Sequence, residues 1–349
     1  MTDEAELARI RARLVEAGAH DWEVERATTL DELLRLSGDV GNRPRGERTS
    51  LRAVAAAAAI PLDTAIGFLH AAGLAAADVD APDWYTSDVE WMRATDAAAA
   101  LFGEEAVLAL LRRAGVAMSQ LSSAASSVFR VNLGETGDIE HPMTIIERNI
   151  GTRPLIDLLL DVVAQLYRYH SRLSFREDSV AAGRFSEVRH LSVGFVDLAS
   201  STELGAALFG AELARAISDF NAVANTVTVR HGARVVKTIG DEVMICALDG
   251  SAVCRAALDL VAYCSTHDTF ASARGAVATG PVLEQEGDCY GPVVNRAARF
   301  AGAAPDGTVM VDAETVEALA DDLRAGPLPA VEHRGLGVVG WYAVGPSEA

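Results

Sequence analysis

The chain has 349 residues, of which 50% are hydrophobic and 23% are charged, a composition typical of globular proteins. Its length is large for a single hydrophobic core, so two domains are expected. The formal net charge of −19 disfavours nucleic acid or an anionic membrane as the main partner, because either would require a basic surface. A small anion stays compatible with this charge, since local cations or a bound metal can override the overall field.

The opening and the apolar runs of the sequence predict a cytoplasmic protein without a membrane span. The opening MTDEAELARIRARL has acids and arginines where a secretory signal would have a basic start and an apolar run. The most apolar segment, LIDLLLDVVAQL, is interrupted by Asp157 and Asp161, and no run reaches the roughly 18 residues that cross a bilayer. The four cysteines lack the spacing of a zinc site and are expected to be reduced thiols in a core.

Residues 1–175 predict an all-helical domain, because several segments carry apolar residues near a 3.6-residue period and none reads as a convincing strand. Residues 50–74 have the helix, proline turn and helix outline of a DNA-reading motif. A recognition helix needs cations and base-edge donors, whereas this segment offers only Arg52 and His70. Plain helix packing is therefore favoured over DNA binding for this segment.

A polar stretch over residues 176–189 is expected to be a linker or transmitting segment, and the pattern then changes. From 190 to 349, strand-like runs alternate with helical patterns, which predicts an α/β or α+β domain. LSVGFVDLAS and ARVVKTIGDEVMICAL are rich in β-formers, and TFASARGAVATGPVLEQEGD suggests two further strands, with one more in TVMVDA.

Two acids, Asp197 and Asp241, stand at the ends of predicted strands, where a hard divalent cation is a natural partner for a buried carboxylate. The alternative is that each is a turn or cap residue. Lys237, four residues before Asp241, weakens that alternative. In GDCYGPVVNRAARF, Asn295 and Arg299 are four residues apart, which places them on one helix face. Taken alone, that segment also fits a capped surface helix with a solvated arginine.

Four motifs decide between these interpretations: FVDLASST, VVKTIGDEVM, ARGAVATG and GDCYGPVVNRAARF. Together, over about residues 188–345, they closely resemble the catalytic domain of class III nucleotidyl cyclases. The resemblance implies a ferredoxin-like α+β fold that works as a homodimer, with each active site built at the subunit interface.

By this resemblance, Asp197 and Asp241 match the two metal-binding aspartates, which would hold two Mg²⁺ or Mn²⁺ ions per site. Asn295 and Arg299 match the catalytic pair that orients the ribose and stabilises the transition state. The ribose 3′-oxygen attacks the α-phosphorus while pyrophosphate leaves, so a fixed guanidinium is well suited to the growing charge.

Lys237 and Asp288 match the pair that selects the base. Adenine shows an amino donor beside a ring acceptor, so Asp288 can accept from the amine while Lys237 donates to the ring nitrogen. Guanine reverses that order, and ATP is therefore expected over GTP. Arg274 matches a phosphate-contacting arginine, and Arg334 is a candidate for a second cation on the polyphosphate.

The helical half resembles, more weakly, the N-terminal regulatory halves of soluble actinobacterial cyclases, which implies control by a small ligand such as a proton or a lipid. The leading hypothesis is an adenylyl cyclase under such control. The alternative from another class is a catalytically silent ATP-binding sensor. Guanylyl cyclase activity is disfavoured by Lys237 and Asp288. Regulation through DNA binding is the least favoured of the four hypotheses.

Overall fold

The computed structural model describes residues 4–44, 46–134, 141–180, 188–199, 210–267, 269–328, 331–333 and 337–347. The chain divides into two compact units, Met1–Gly183 (unit 1) and Arg184–Ala349 (unit 2). Arg334, the candidate second phosphate cation, lies outside the described residues.

Unit 1 is built mainly from helices, as its apolar periodicity predicts. Within the described ranges they are α1 Glu4–Glu16, α2 Asp21–Arg26, α3 Leu30–Asn42, α4 Leu51–Ala58, α5 Leu62–Ala71, α6 Asp88–Phe102, α7 Glu104–Gly134, α8 Pro142–Gly151 and α9 Arg153–Val180. The expectation of helices alone is not met, because two short strands, β1 Arg48–Thr49 and β2 Trp84–Tyr85, form an antiparallel pair. Two residues are too few to show a strand period in the sequence.

Two apolar clusters stabilise unit 1. One joins α1, α2, α3 and α8 around Ile10, Leu33 and Ile146. The other joins α4, α5 and α6 around Phe68 and Met92, and it buries the apolar sides of α4 and α5, as the helix-packing interpretation of residues 50–74 expects. Among the described helices, none is by itself long and apolar enough to cross a membrane, although the α4–α5 pair, bent by 109°, reaches the threshold by length and composition.

The expected linker at 176–189 is partly helical, because α9 continues to Val180. Residues 181–187 lie outside the described part of the chain, and the first strand of unit 2 begins at Val188.

Unit 2 combines a β-sheet with helices. Its described strands are β3 Val188–Ala199, β4 Arg234–Ile239, β5 Glu242–Ala247, β6 Ser272–Gln285, β7 Asp288–Tyr290, β8 Val309–Val311, β9 Leu323–Pro327, β10 Val331–His333, β11 Gly337–Val339 and β12 Tyr342–Pro346. Its described helices are α10 Ala211–Arg230, α11 Gly250–Thr266, α12 Pro292–Ala301 and α13 Ala313–Glu317.

The sheet has the order β4-β5-β3-β6-β8-β12-β9, with β7 paired to β6 and β10–β11 as a separate hairpin. The order β3, α10, β4, β5, α11, β6 along the chain, with β3 and β6 side by side and antiparallel, is the ferredoxin-like arrangement. The predicted α+β fold class is therefore confirmed. Among the described pairs, β6–β8 runs parallel.

Helices cover both faces of the sheet. Helices α10 and α11 pack on one face, around Phe220 and Leu260, and α12 packs on the other face, around Phe195 and Phe300. Strand β3 is therefore buried on both faces, which explains its continuous apolar run. Gly194 is needed at its centre, since a Cβ there would lie 2.7 Å from the Val253 side chain of α11.

The two strands expected in TFASARGAVATGPVLEQEGD form one 14-residue strand, β6, followed by the three-residue β7. Gly280 and Pro281 in its middle are typical of a strand break. Their register opposite Leu191 and His190 of β3 shows that pairing continues through them.

Candidate functional site

The two aspartates predicted to bind metal lie together at one end of the central strands. Asp197 is near the end of β3, in register with Glu242 of β5 and Arg274 of β6. Asp241 occupies the two-residue turn between β4 and β5, where Gly240 supplies the positive φ of +66°. The Leu198 amide donates to the Asp241 carbonyl oxygen at 3.4 Å, which ties this turn to β3. Asp241 is thus a turn residue and a neighbour of Asp197 at once.

The electrostatics around Asp197 are those of crowded carboxylates. Burial and the adjacent Asp241 raise the pKa of Asp197, while Arg274 acts in the opposite direction. Burial, followed by Asp197 and Asp241, raises the pKa of Glu242 to about 7. Sequence reasoning did not single out Glu242, although it directly follows Asp241. A nearby cation stabilises the ionised form of partly desolvated, crowded carboxylates.

The donor set fits a hard divalent ion, because Mg²⁺ is held by one or two carboxylates together with water and phosphate oxygens. Among the described residues, no group of three or more His, Cys, Asp or Glu side chains forms a complete metal cage. Asp197 and Asp241 supply two such carboxylates.

Arg274 lies beside the acidic cluster. Its Nη2 is 3.6 Å from Asp197 Oδ2, and its Nη1 is 3.8 Å from Asp306 Oδ1. Its Nε is buried and makes no hydrogen bond among the described residues. The arginine predicted to contact phosphate thus stands next to one predicted metal ligand.

The fold brings together Lys237 and Asp288, which are 51 positions apart in the sequence. Lys237 Nζ lies 2.5 Å from Asp288 Oδ2, and the Cys289 amide donates to Asp288 Oδ1 at 2.8 Å. The ion pair is accessible, since the lysine side chain is 38% exposed and the aspartate 15%. One donor and one acceptor therefore stand side by side in fixed positions.

A β-bulge in β4 places Lys237 on the face of the sheet that α12 covers. Val235 faces Ile245 in the cluster under α10 and α11, and regular alternation would put Lys237 on that same face. The register shift between Val235 and Lys237 instead sets the lysine opposite Met244, on the face that α12 covers. The sequence carries no clear signal for this bulge.

Asn295 and Arg299 are exposed on α12, on the same helix face, as predicted. Between them, Arg296 points inward, where its guanidinium donates to Asp312 Oδ2 at 2.7 Å and to the Thr279 carbonyl at 3.1 Å. Asp312 is only 2% exposed, so this pair anchors α12 to β6 and to the start of α13. Sequence reasoning missed Arg296, because its partners are 16 and 17 residues away.

The predicted site residues do not all contact one another in the described part of a single chain. In the described residues, no hydrogen bond or ion pair joins Asn295 or Arg299 to Asp197 or Asp241. The first pair projects from α12 into solvent, whereas the second lies at the β3 end and the β4–β5 turn.

A second, partly buried network lies near the Lys237–Asp288 pair. Glu284 accepts from Arg189 Nη1 at 2.9 Å and from Arg234 Nη2 at 2.5 Å. Arg234 Nη2 is also 3.9 Å from Cys289 Sγ.

All four cysteines are free and buried. Cys246 and the Arg234 guanidinium lower the pKa of the Cys289 thiol.

Comparison with known proteins gives a consistent result. Residues 184–342 match the family model of the adenylate and guanylate cyclase catalytic domain. An uncharacterized protein of Mycobacterium tuberculosis is 32% identical over 268 residues, covering 73% of this chain and 69% of that protein. An adenylate cyclase of Streptomyces coelicolor is 31% identical over 252 residues, covering 66% of this chain and 65% of that protein. The structure of the adenylyl cyclase CyaB from P. aeruginosa is 18% identical, with a TM-score of 0.42, over 46% of this chain and 96% of that chain.

Proposed function

The chain belongs to the adenylate and guanylate cyclase family, and from this premise we propose that it is an adenylyl cyclase that forms 3′,5′-cyclic AMP and pyrophosphate from ATP. The observation that carries the choice of ATP is the Lys237–Asp288 pair at 2.5 Å. It offers one donor and one acceptor side by side, which matches the ring nitrogen and the amino group of adenine.

Asp197 and Asp241 would hold the divalent ions, Mg²⁺ or Mn²⁺. When bound, such ions neutralise the triphosphate and lower the pKa of the ribose 3′-hydroxyl. The support is that the two carboxylates are crowded together with Glu242. Among the described residues, Arg274 is the cation that acts on this negative charge. Arg274, at 3.6 Å from Asp197, is placed to contact phosphate oxygens once they arrive.

Asn295 would orient the ribose, and Arg299 would donate to the phosphate oxygens on which negative charge grows. Because both side chains are exposed on α12 and are not joined to the aspartates in their own chain, we propose that they serve the site of a second copy. A two-fold symmetric homodimer would then contain two equivalent sites, each with aspartates from one subunit and α12 from the other.

We propose that unit 1 controls this activity, with a proton or a lipid as the candidate signal. The support is the extent of similarity to the Streptomyces coelicolor adenylate cyclase, since the aligned 252 residues are more than unit 2 contains. That relative therefore shares part of unit 1 as well as the cyclase domain.

The test is a cyclase assay on the purified full-length chain with Mn²⁺ or Mg²⁺ and either ATP or GTP, reading cyclic nucleotide and pyrophosphate together. We expect cyclic AMP and pyrophosphate in equal amounts, with kcat/KM for ATP about 100-fold or more above that for GTP. ATP binding without any product would instead identify a silent nucleotide sensor. Equal use of both nucleotides would refute the assigned role of Lys237 and Asp288.

A further inference from the structure

Helix α12, Pro292–Ala301, carries Asn295 and Arg299 but is a short element. It has 10 residues and begins after Gly291 without a side-chain cap hydrogen bond. A helix shorter than roughly 12 to 15 residues is marginal by itself in water, so α12 depends on its packing. Its buried side makes apolar contacts around Phe300, and such contacts are not directional. A fixed rotation of α12 about its own axis calls for directional contacts as well.

Arg296 supplies directional contacts of this kind. Its Nε and Nη2 donate to Asp312 Oδ2 at 3.0 and 2.7 Å, and Nη2 also donates to the Thr279 carbonyl oxygen at 3.1 Å. The two acceptors belong to different elements, because Thr279 lies in β6 and Asp312 directly precedes α13. One rigid, planar guanidinium therefore joins α12 to two other parts of unit 2.

The carboxylate that receives Arg296 is itself held in place. Asp312 is 2% exposed, and it accepts from the Thr315 amide at 3.0 Å, from the Thr315 hydroxyl at 2.6 Å and from the Thr279 amide at 3.3 Å. The Thr279 hydroxyl forms hydrogen bonds of 2.7 Å with the buried hydroxyls of Ser192 and Thr315. Because this network joins β3, β6 and the start of α13, Asp312 is a fixed reference point for α12.

The rotation of α12 determines where its exposed side chains point. Arg296 directly follows Asn295 and precedes Arg299 by three residues, and each residue turns a helix by about 100°. A fixed direction for the arginine in the middle therefore fixes the directions of the other two. Since the surface of a helix lies about 5–6 Å from its axis, a rotation of about 10° moves that surface by about 1 Å. A displacement of about 1 Å can lower a catalysed rate by about 100-fold.

We propose that Arg296 is a positioning residue for the cyclase reaction. Its hydrogen bonds to Asp312 and Thr279 fix the rotation of α12, which aims Asn295 and Arg299 into the active site of a second copy. Arg296 acts through these two neighbours and not on the substrate itself. The inference rests on the proposed function, in which α12 of one copy serves the aspartates of the other.

Steady-state kinetics of Arg296→Met test the role, since methionine keeps an apolar stem and removes the guanidinium. We expect kcat for cyclic AMP to fall by about 100-fold and KM for ATP to change by less than about threefold, because the lost interactions act in the transition state. Arg296→Lys keeps the charge without the planar fork and should recover only part of kcat. A native chain that makes cyclic AMP beside an Arg296→Met chain with unchanged kcat would leave the proposed function standing and overturn this inference.

The matched control is Arg255→Met. Arg255 of α11 pairs with Asp322 through Nη2 and Oδ1 at 2.6 Å, so this change also removes an arginine from an ion pair, but from one that does not involve α12. Both kcat and KM should equal those of the native chain.

A double variant separates positioning from folding. Arg296→Met leaves the charge of Asp312 buried without its cation, which destabilises the fold. Arg296→Met with Asp312→Asn removes both charges, and asparagine keeps an oxygen that accepts from Thr315. This chain is expected to regain most of the melting temperature that Arg296→Met loses, while its kcat stays about 100-fold low because no fork holds α12. A kcat that recovers together with the melting temperature would show that Arg296 only stabilises the fold.

A heterodimer of Arg296→Met and Asp197→Ala chains, purified through two affinity tags, locates the defect. One of its sites combines an intact Asp197 with an intact α12, so about half of the native activity is expected, as in the pair of Asp197→Ala with Arg299→Ala. If only the pair with Arg299→Ala recovers, the shared site stands and the positioning role of Arg296 is overturned. If neither pair recovers, the sharing of the site is refuted, and with it the aim of α12 into a second copy.

Discussion

Replacing Asp197 by alanine is expected to lower kcat for cyclic AMP formation by about 10³-fold or more. The substitution removes one of two carboxylates that hold the cations, and it leaves Arg274 without the partner that lies 3.6 Å away. Asp241→Ala should have a similar effect. The measurement is a steady-state assay with saturating Mn²⁺ and ATP.

Two controls separate this loss from damage to the fold. Asp219→Ala removes an exposed carboxylate from α10 and should leave kcat unchanged. In the absence of metal, the melting temperature of Asp197→Ala should equal or exceed that of the native chain. Burial and Asp241 raise the pKa of Asp197, so its ionised form destabilises the folded state at neutral pH. Activity within tenfold of the native chain would contradict the assigned role.

Reversing the Lys237–Asp288 pair is expected to reverse nucleotide choice. In the chain with Lys237→Glu and Asp288→Lys, an acceptor faces the ring N–H of guanine and a donor faces its carbonyl oxygen. The ratio of kcat/KM for ATP over GTP should fall by about 100-fold or more. Asp288→Ala alone should lower the ratio by a smaller factor, because the ring-nitrogen contact of Lys237 stays.

The matched control is the surface pair Arg255–Asp322, with Nη2 and Oδ1 2.6 Å apart. Reversing it, with Arg255→Asp and Asp322→Arg, changes the same two charges at a distance from the candidate site and should leave the nucleotide ratio unchanged. If both reversals shift the ratio equally, the effect is not recognition of the base.

The sequence predicts most of the sheet, because covered strands such as β3 leave a continuous apolar run and helices leave a 3.6-residue period. It also predicts that Asn295 and Arg299 share one face, since that follows from helix geometry alone. The positions of Asp197 and Asp241 follow in the same way from strand ends.

Features that depend on distant residues could not be predicted. The anchor of α12 joins Arg296 to Asp312 and Thr279, and no local pattern links them. The bulge that turns Lys237 toward Asp288 is set by the pairing of β4 with β5. The expectation of two strands in TFASARGAVATGPVLEQEGD missed that long-range pairing with β3 continues through Gly280 and Pro281.

The central claim is that each active site takes its aspartates from one subunit and its α12 residues from the other. The most direct test co-expresses Asp197→Ala and Arg299→Ala chains under two different affinity tags and purifies the heterodimer through both. Each homodimer should be inactive, while the heterodimer should recover about half of the native activity, because one site carries both substitutions and the other carries neither. A heterodimer as inactive as the two homodimers would contradict a shared site.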